Sequence, residues 1–364
     1  MKPTAILTTA IVLAVSCTAQ EDRFDGNATA LMDRFQDNIS KGVMMYGHQD
    51  DLMYGHTWRI DRDETEFLRS DVKEVCGKYP AVLGLDLGGI ELASEQNLDG
   101  NYFSAMRSSA IAHYLRGGVV TFSWHPRNPL TDGNAWDVSD STVVRSILPG
   151  GVKHEKFQLW MKRVADFLLT LTDKKGNKMP IIFRPWHENN GSWFWWGQKL
   201  CSDEEFKGLW NMLQDYLVQR GLDNLLFCYS PNLDGNWTTE RFLKRYPGDD
   251  RVAIIGEDAY QWGTEADFVK QTTADLTFIK HFAKEHNRLF ALTECGYKNN
   301  PDSTWWSRVL KPILDKFGVL YFLPWRNFKK EYFGPSKDEP SGKNFLLLYK
   351  SKNILFSKDI RKIR

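Results

Sequence analysis

Eight short apolar runs recur along the chain, at residues 42–47, 81–87, 118–124, 180–185, 225–230, 252–257, 289–294 and 319–325, each bounded by polar or glycine residues. Runs of that length, rich in Val, Ile, Leu and Phe, have the pattern of strands buried on both faces. Amphipathic stretches lie between them. The spacing predicts helices over 65–78, 156–171, 204–220 and 272–287. In the clearest, 156–171, Phe157, Trp160, Met161, Val164, Phe167, Leu168 and Leu171 share one face. Strands that alternate with helices build parallel sheet, and a count of eight points to an α/β fold, a single (β/α)8 TIM barrel over 39–364 with long βα loops forming a cleft. A doubly wound open sheet is the alternative. No Pro- or Gly-rich linker divides the chain, and it contains no internal repeat.

The first residues read as an address. Met1-Lys2-Pro3 is a short positive start, residues 5–15 are apolar apart from two Thr, and the segment ends in Ala14-Val15-Ser16-Cys17. An apolar run that short does not span a bilayer of about 30 Å, so residues 1–16 are expected to be a signal peptide. The ending resembles a bacterial lipobox. It implies a lipid anchor on Cys17, residues 17–38 as tether and lead-in, and an exported protein held on a bacterial membrane, facing the periplasm or the cell surface.

Composition removes other classes. With 42% hydrophobic residues the chain is no disordered tail. Its 47 basic and 46 acidic residues leave no surplus to displace counterions from phosphates, so no nucleic-acid partner is expected. Cys76, Cys201, Cys228 and Cys295 form no C-x-x-C pair and have no His at zinc spacing, so no structural metal is expected and no disulfide is assigned. The 14 Trp, beside 22 Phe and 13 Tyr, exceed the needs of a core. Flat rings stack on sugars or bases. Trp124, Trp186, Trp193, Trp262 and Trp325 fall at or beside expected strand ends, where a barrel carries its chemistry.

Two acids stand at such ends. Run 180–185 leads into Trp186-His187-Glu188-Asn189-Asn190-Gly191-Ser192-Trp193-Phe194-Trp195-Trp196-Gly197, and run 289–294 closes on Glu294-Cys295-Gly296. A carboxylate at the mouth of an apolar strand costs desolvation unless it is paired or used. Either Glu alone has a structural alternative, a pairing with Arg184 or Arg326. Together, on the fourth and seventh strands, they match the equipment of glycoside hydrolysis, one acid to protonate the leaving oxygen and one carboxylate opposite it.

The segment from Arg184 to Gly197 resembles the acid/base signature of glycoside hydrolase family 26, the β-mannanases of the four-seven barrel superfamily. Tyr46-Gly47-His48-Gln49-Asp50-Asp51, Gly84-Leu85-Asp86-Leu87-Gly88, Ser123-Trp124-His125-Pro126 and Gly256-Glu257-Asp258-Ala259-Tyr260 resemble other strand ends of that family. The resemblance implies a retaining, endo-acting β-1,4-mannanase with Glu188 as acid/base, Glu294 as nucleophile and Tyr260 bonded to it. It further implies that His125, His187, Trp193 and Trp325 line the cleft and that Arg326 holds a sugar further from the cleaved bond. Asp258 is a weaker polar candidate, and Trp195 and Trp196 are expected to pack beneath. No metal or cofactor is implied, and a monomer is expected. Alternatives are the same machinery on mixed-linkage β-glucan or xylan, mannobiose-releasing exo action, or a glycan-binding lipoprotein without turnover. Two departures stand out, an acidic corner at Glu257-Asp258 and a long polar loop over 127–151 that would narrow one end of the cleft.

Overall fold

Eight parallel strands close into a barrel in the computed structural model, which describes residues 24–360; the expected signal peptide and Cys17 lie outside them. The strands are β1 (Met44–Gln49), β2 (Val82–Asp86), β3 (Val119–Trp124), β4 (Ile181–Pro185), β5 (Leu225–Tyr229), β6 (Ile254–Tyr260), β7 (Leu289–Gly296) and β8 (Tyr321–Pro324). Neighbours in sequence are neighbours in the sheet, and β8 returns to β1 through Met45↔Tyr321 and Tyr46↔Phe322. Each expected run holds a strand. β6 and β7 outrun their expected ends, and these extensions carry site residues.

Around the barrel lie α1 (Gly26–Ser40), α2 (Asp71–Cys76), α3 (Phe103–Leu115), α4 (Val143–Ile147), α5 (His154–Leu169), α6 (Asp203–Gln219), α7 (Thr239–Arg245), α8 (Glu265–Glu285), α9 (Lys311–Phe317) and α10 (Ser341–Tyr349). Alternation along each strand divides the core in two. Met45, Val82, Val119, Ile182, Leu226, Ile254, Ala291 and Tyr321 point inward, whereas Tyr46, Phe183, Phe227, Ile255, Leu292 and Phe322 meet the helices.

Three expectations need correction. The stretch read as tether becomes a helix at Gly26, with Asp25 capping it by accepting the Ala28 amide at 2.8 Å. Its Ala28, Leu31 and Phe35 pack on the first inward residues of the strands and so close the barrel floor. Burying Leu31 and Phe35 there contributes about 1.5–3 kcal/mol each. The helix expected over 65–78 is only α2, because Ser70 caps the Lys73 amide while Glu64 takes the Thr65 and Glu66 amides into a turn. Finally, α8 starts before residue 272, at Glu265, where Thr264 accepts the Asp267 amide. Helix α3, with small residues on its inner face (Ala105, Ser109, Ala110), went unanticipated for want of a strong apolar stripe.

The acidic corner at Glu257-Asp258 splits between the two cores. Glu257 points outward and is fully buried beside Asp275 of α8, which accepts the Asp234 and Gly235 amides of the loop after β5. Burial, then the charge of Asp275, pushes the Glu257 carboxyl well above its ordinary value. The unfolded chain loses that proton near pH 4.3, the folded chain at a higher pH. Across that window the fold holds the extra proton, so this group's contribution to stability declines as pH rises. Glu257→Gln removes the dependence. The thermal midpoint of the variant is expected to fall less between about pH 5 and pH 9, and to exceed the parent's by about 2 °C at the alkaline end. Parallel melting curves for the two proteins would refute the assignment.

Candidate functional site

Two local irregularities aim the acids. After β4 the backbone turns left-handed at Trp186 (φ 53°) and again at Glu188 (φ 52°), a strain on the order of 1 kcal/mol each. What holds the turn is a nest of buried indoles: Trp186 lies 5.4 Å from Trp124, 5.5 Å from Trp195 and 5.6 Å from Trp196. Trp124 and Trp186 are therefore packing residues, contrary to the expectation that placed them at the cleft. Trp195 and Trp196 are buried with them. The Glu188 amide donates to the Ser230 carbonyl at 2.7 Å, pinning the acid against β5.

On β7 the irregularity is a bulge. Glu257 pairs with Leu292 but Asp258 pairs with Glu294, which leaves Thr293 as an extra residue. Thr293 donates to Asp258 Oδ1 at 2.7 Å. Strict alternation would turn Glu294 outward if Thr293 faced in; the bulge lets both face the barrel axis.

The result is a compact polar cluster. Carboxylate oxygens of Glu188, Asp258 and Glu294 lie within 4.8 Å of one another. Arg184, inward on β4, bonds Glu294 Oε1 through Nη2, and reaches Asp258 Oδ2 at 2.8 Å and Ser230 Oγ at 3.1 Å through Nη1. Tyr260 donates its hydroxyl to Glu294 Oε2 at 2.6 Å. Both oxygens of Glu294 thus accept from fixed donors, the arrangement an anionic carboxylate requires. Glu188 has one such donor, Trp193 Nε1 at 2.7 Å from Oε2. Burial, then the charges of Asp258 and Glu294, raises the Glu188 carboxyl well above its ordinary value. Burial also raises Asp258, to about 8, against the pull of Arg184. Three carboxylates face one guanidinium, so Glu188 and Asp258 hold a proton to higher pH than an isolated carboxyl does.

Above the cluster opens a cavity of about 600 Å³. His125, His187, Glu188, Trp193, Tyr260, Glu294, Trp325 and Arg326 line it, so eight of the nine expected site residues come together. Asp258 does not. It is fully buried, held by Arg184 and Thr293, in register with Glu294 and facing the acids. Arg326 pairs with Asp99 at 3.4 Å.

Sequence reasoning missed Trp136, Phe194, Asn232, Glu331 and Phe333 as lining residues. A signal existed for Trp136, a lone indole in the polar loop over 127–151. It stacks on His125 at 5.4 Å, 48% exposed. Glu331 and Phe333 follow β8 on a small hairpin, β9 (Asn327–Phe328) with β10 (Glu331–Tyr332), which no pattern announced. Trp262 stacks on Tyr260 at 5.4 Å and is 68% exposed, so the cavity has bare indoles beside both His125 and the Glu294–Tyr260 pair.

The chain is 32% identical over 331 residues to a mannan endo-1,4-beta-mannosidase of Bifidobacterium adolescentis, covering 84% of this chain and 32% of that one. It is 30% identical over 264 residues to a mannan endo-1,4-beta-mannosidase of Bacillus subtilis, covering 70% and 68%. The chain thus spans about a third of the first relative's length and about two thirds of the second's. Among solved structures, a GH26 beta-mannanase from Bacteroides ovatus superposes with a TM-score of 0.87 at 43% identity, over 91% of this chain and 95% of that one. Residues 24–342 match Glycosyl hydrolase family 26, and the chain belongs to that family.

Proposed function

We propose that the chain is a retaining, endo-acting β-1,4-mannanase that hydrolyses mannan-type polysaccharides by double displacement. One observation carries the reading: Glu188 and Glu294 approach within 4.8 Å in the same cavity, yet have opposite hydrogen-bond environments. Retaining glycosidases hold their carboxyl groups about 5–5.5 Å apart, whereas inverting ones leave about 6.5–9.5 Å for a water.

Glu188, protonated, gives its proton to the glycosidic oxygen as the C–O bond breaks. Glu294 attacks the anomeric carbon from the other face and forms a glycosyl ester. Its negative charge is then gone, which lowers the proton affinity of Glu188. Glu188, now a carboxylate, takes a proton from water as that water displaces the ester. Glu294 leaves as an anion, received again by Arg184 and Tyr260. Mannan as substrate is supported by the similarity to two mannan endo-1,4-beta-mannosidases. Cutting within the chain is supported by bare indoles on two sides of the cavity, Trp136 and Trp262. Export and a lipid anchor on Cys17 belong to the proposal too and rest on residues 1–17 alone.

The test is digestion of mannan, glucomannan, mixed-linkage glucan and xylan by the purified protein, reading reducing ends, product sizes and the first anomer formed. Mannan and glucomannan are expected to yield mixed oligosaccharides in the β configuration. Cleavage confined to glucan or xylan would overturn the substrate. Disaccharide as the sole early product would overturn the endo mode, and α product formed first would overturn retention.

A further inference from the structure

Beside Glu188 runs a chain of three titratable groups taken from three strands. His125, just past β3, and His187, just past β4, meet edge to face with Nε2 3.0 Å from Nε2. Two imidazole nitrogens at that separation share one proton. The other nitrogen of His125, Nδ1, lies 2.6 Å from Asp86 Oδ2 at the end of β2. Asp86 also receives Ser123 Oγ at 2.6 Å, the Gly88 amide at 2.7 Å and the His125 amide at 3.3 Å. Each of those partners is a donor, so Asp86 is the acceptor and Nδ1 of His125 carries a proton. What remains is whether the shared proton sits on His125, making it an imidazolium, or on His187.

The surroundings decide. Charged and titratable groups acting on His125 are Asp86, Glu294 and Asp99, which favour a cation, and Arg184, which opposes one. Among the described residues, His187 has His125 and Arg184 acting on it, both of which oppose a charge, and it is deeper, with Nδ1 buried and without a hydrogen-bond partner there. Burial works against a charge on His125, but the carboxylate of Asp86 outweighs it and raises that imidazole. For His187, burial followed by the charges of His125 and Arg184 pushes the value well down.

We infer that Asp86 is a positioning residue that holds His125 as an imidazolium donating to His187 Nε2, which fixes His187 as the neutral Nδ1–H tautomer. A fixed positive charge then stands in the wall of the same cavity as Glu294, and His187 presents a donor with no partner among the described residues. Asp86 touches no substrate; it acts through His125.

The parent protein, labelled with ¹⁵N-histidine, tests this directly. At about pH 6–7 His125 is expected to show two protonated nitrogens, and His187 one protonated and one bare nitrogen. Asp86→Asn keeps an acceptor for Nδ1–H but removes the charge. In it His125 is expected to read as neutral at the same pH, and kcat on mannan to fall about tenfold with KM within about twofold. A bare nitrogen on His125 in the parent overturns the inference, as does an imidazolium that survives in the variant. The parent spectrum decides even if the variant does not fold. The kinetic arm rests on the mannanase reading, whereas the spectrum does not. An imidazolium at His125 in a protein that leaves mannan intact supports the inference and counts against that reading alone.

Discussion

Glu294→Ala is expected to lower turnover on mannan on the order of 10⁵-fold, about 7 kcal/mol of barrier, with the fold intact. The size follows from what the side chain does. On the proposed mechanism, no covalent intermediate forms without it, and water has no general base in the right place, because Glu188 is still protonated at the start. The loss also reaches Glu188, whose carboxyl is raised partly by the charge of Glu294. Removing that neighbour brings its proton affinity down toward the ordinary range. Arg184 keeps Asp258 as a partner at 2.8 Å, which limits the structural cost. A small anion such as azide fits the space vacated on the nucleophile's side. With an activated aryl β-mannoside it is expected to restore turnover and release an α-glycosyl azide, inverted relative to the substrate. Activity within about tenfold of the parent, or rescue that yields a β-azide, would show that Glu294 is not the nucleophile.

The frame of the molecule was legible because a closed parallel barrel buries both faces of each strand. That demands continuous apolar runs, and eight of them are visible with no knowledge of their contacts. The two acids were legible for the converse reason, since ionisable groups in such runs are anomalies. Orientation was not. Trp186 and Glu188 take left-handed backbone, and Thr293 is an inserted bulge residue, so neither β4 nor β7 follows simple alternation where it matters most. This is why Trp124 and Trp186, adjacent to site residues in sequence, turned out to be the packing that holds the turn. Asp258 was misplaced on the same grounds. It alternates inward correctly on β6, but it is fully buried against Arg184 and Thr293, and a contact between non-adjacent strands leaves no trace in local pattern. Helix α1 went unread because its three buried residues close the barrel floor, and only the assembled barrel creates that surface.

Glu188→Ala should lower kcat on mannan by about 10²- to 10⁴-fold, the usual worth of a positioned general acid, and the deficit should depend on the leaving group. A mannan leaving group is an alkoxide unless protonated, so the first step suffers in full. An aryl mannoside with an acidic phenol leaves without help, so on it the first step is nearly spared. The second step still needs a base for water, the role proposed for Glu188. The glycosyl ester on Glu294 should then accumulate, seen as a burst of phenol equal to the enzyme present and as a low KM. The pH profile supplies an independent check. In the parent the working form of Glu188 is protonated and its carboxyl is raised by burial, Asp258 and Glu294, so activity is lost as pH climbs through that raised value. The carboxyl is present only in the parent, so the alkaline limb should flatten in Glu188→Ala. A limb that persists unchanged would assign it to another raised group of the cluster, with Asp258 the first to examine because its carboxyl is pushed up to about 8. The double substitution with Asp258→Asn separates the two. If Glu188 is the acid, the second change shifts the limb only in the protein that retains Glu188, because Asp258 acts on the pH profile through the charge it places beside that carboxyl.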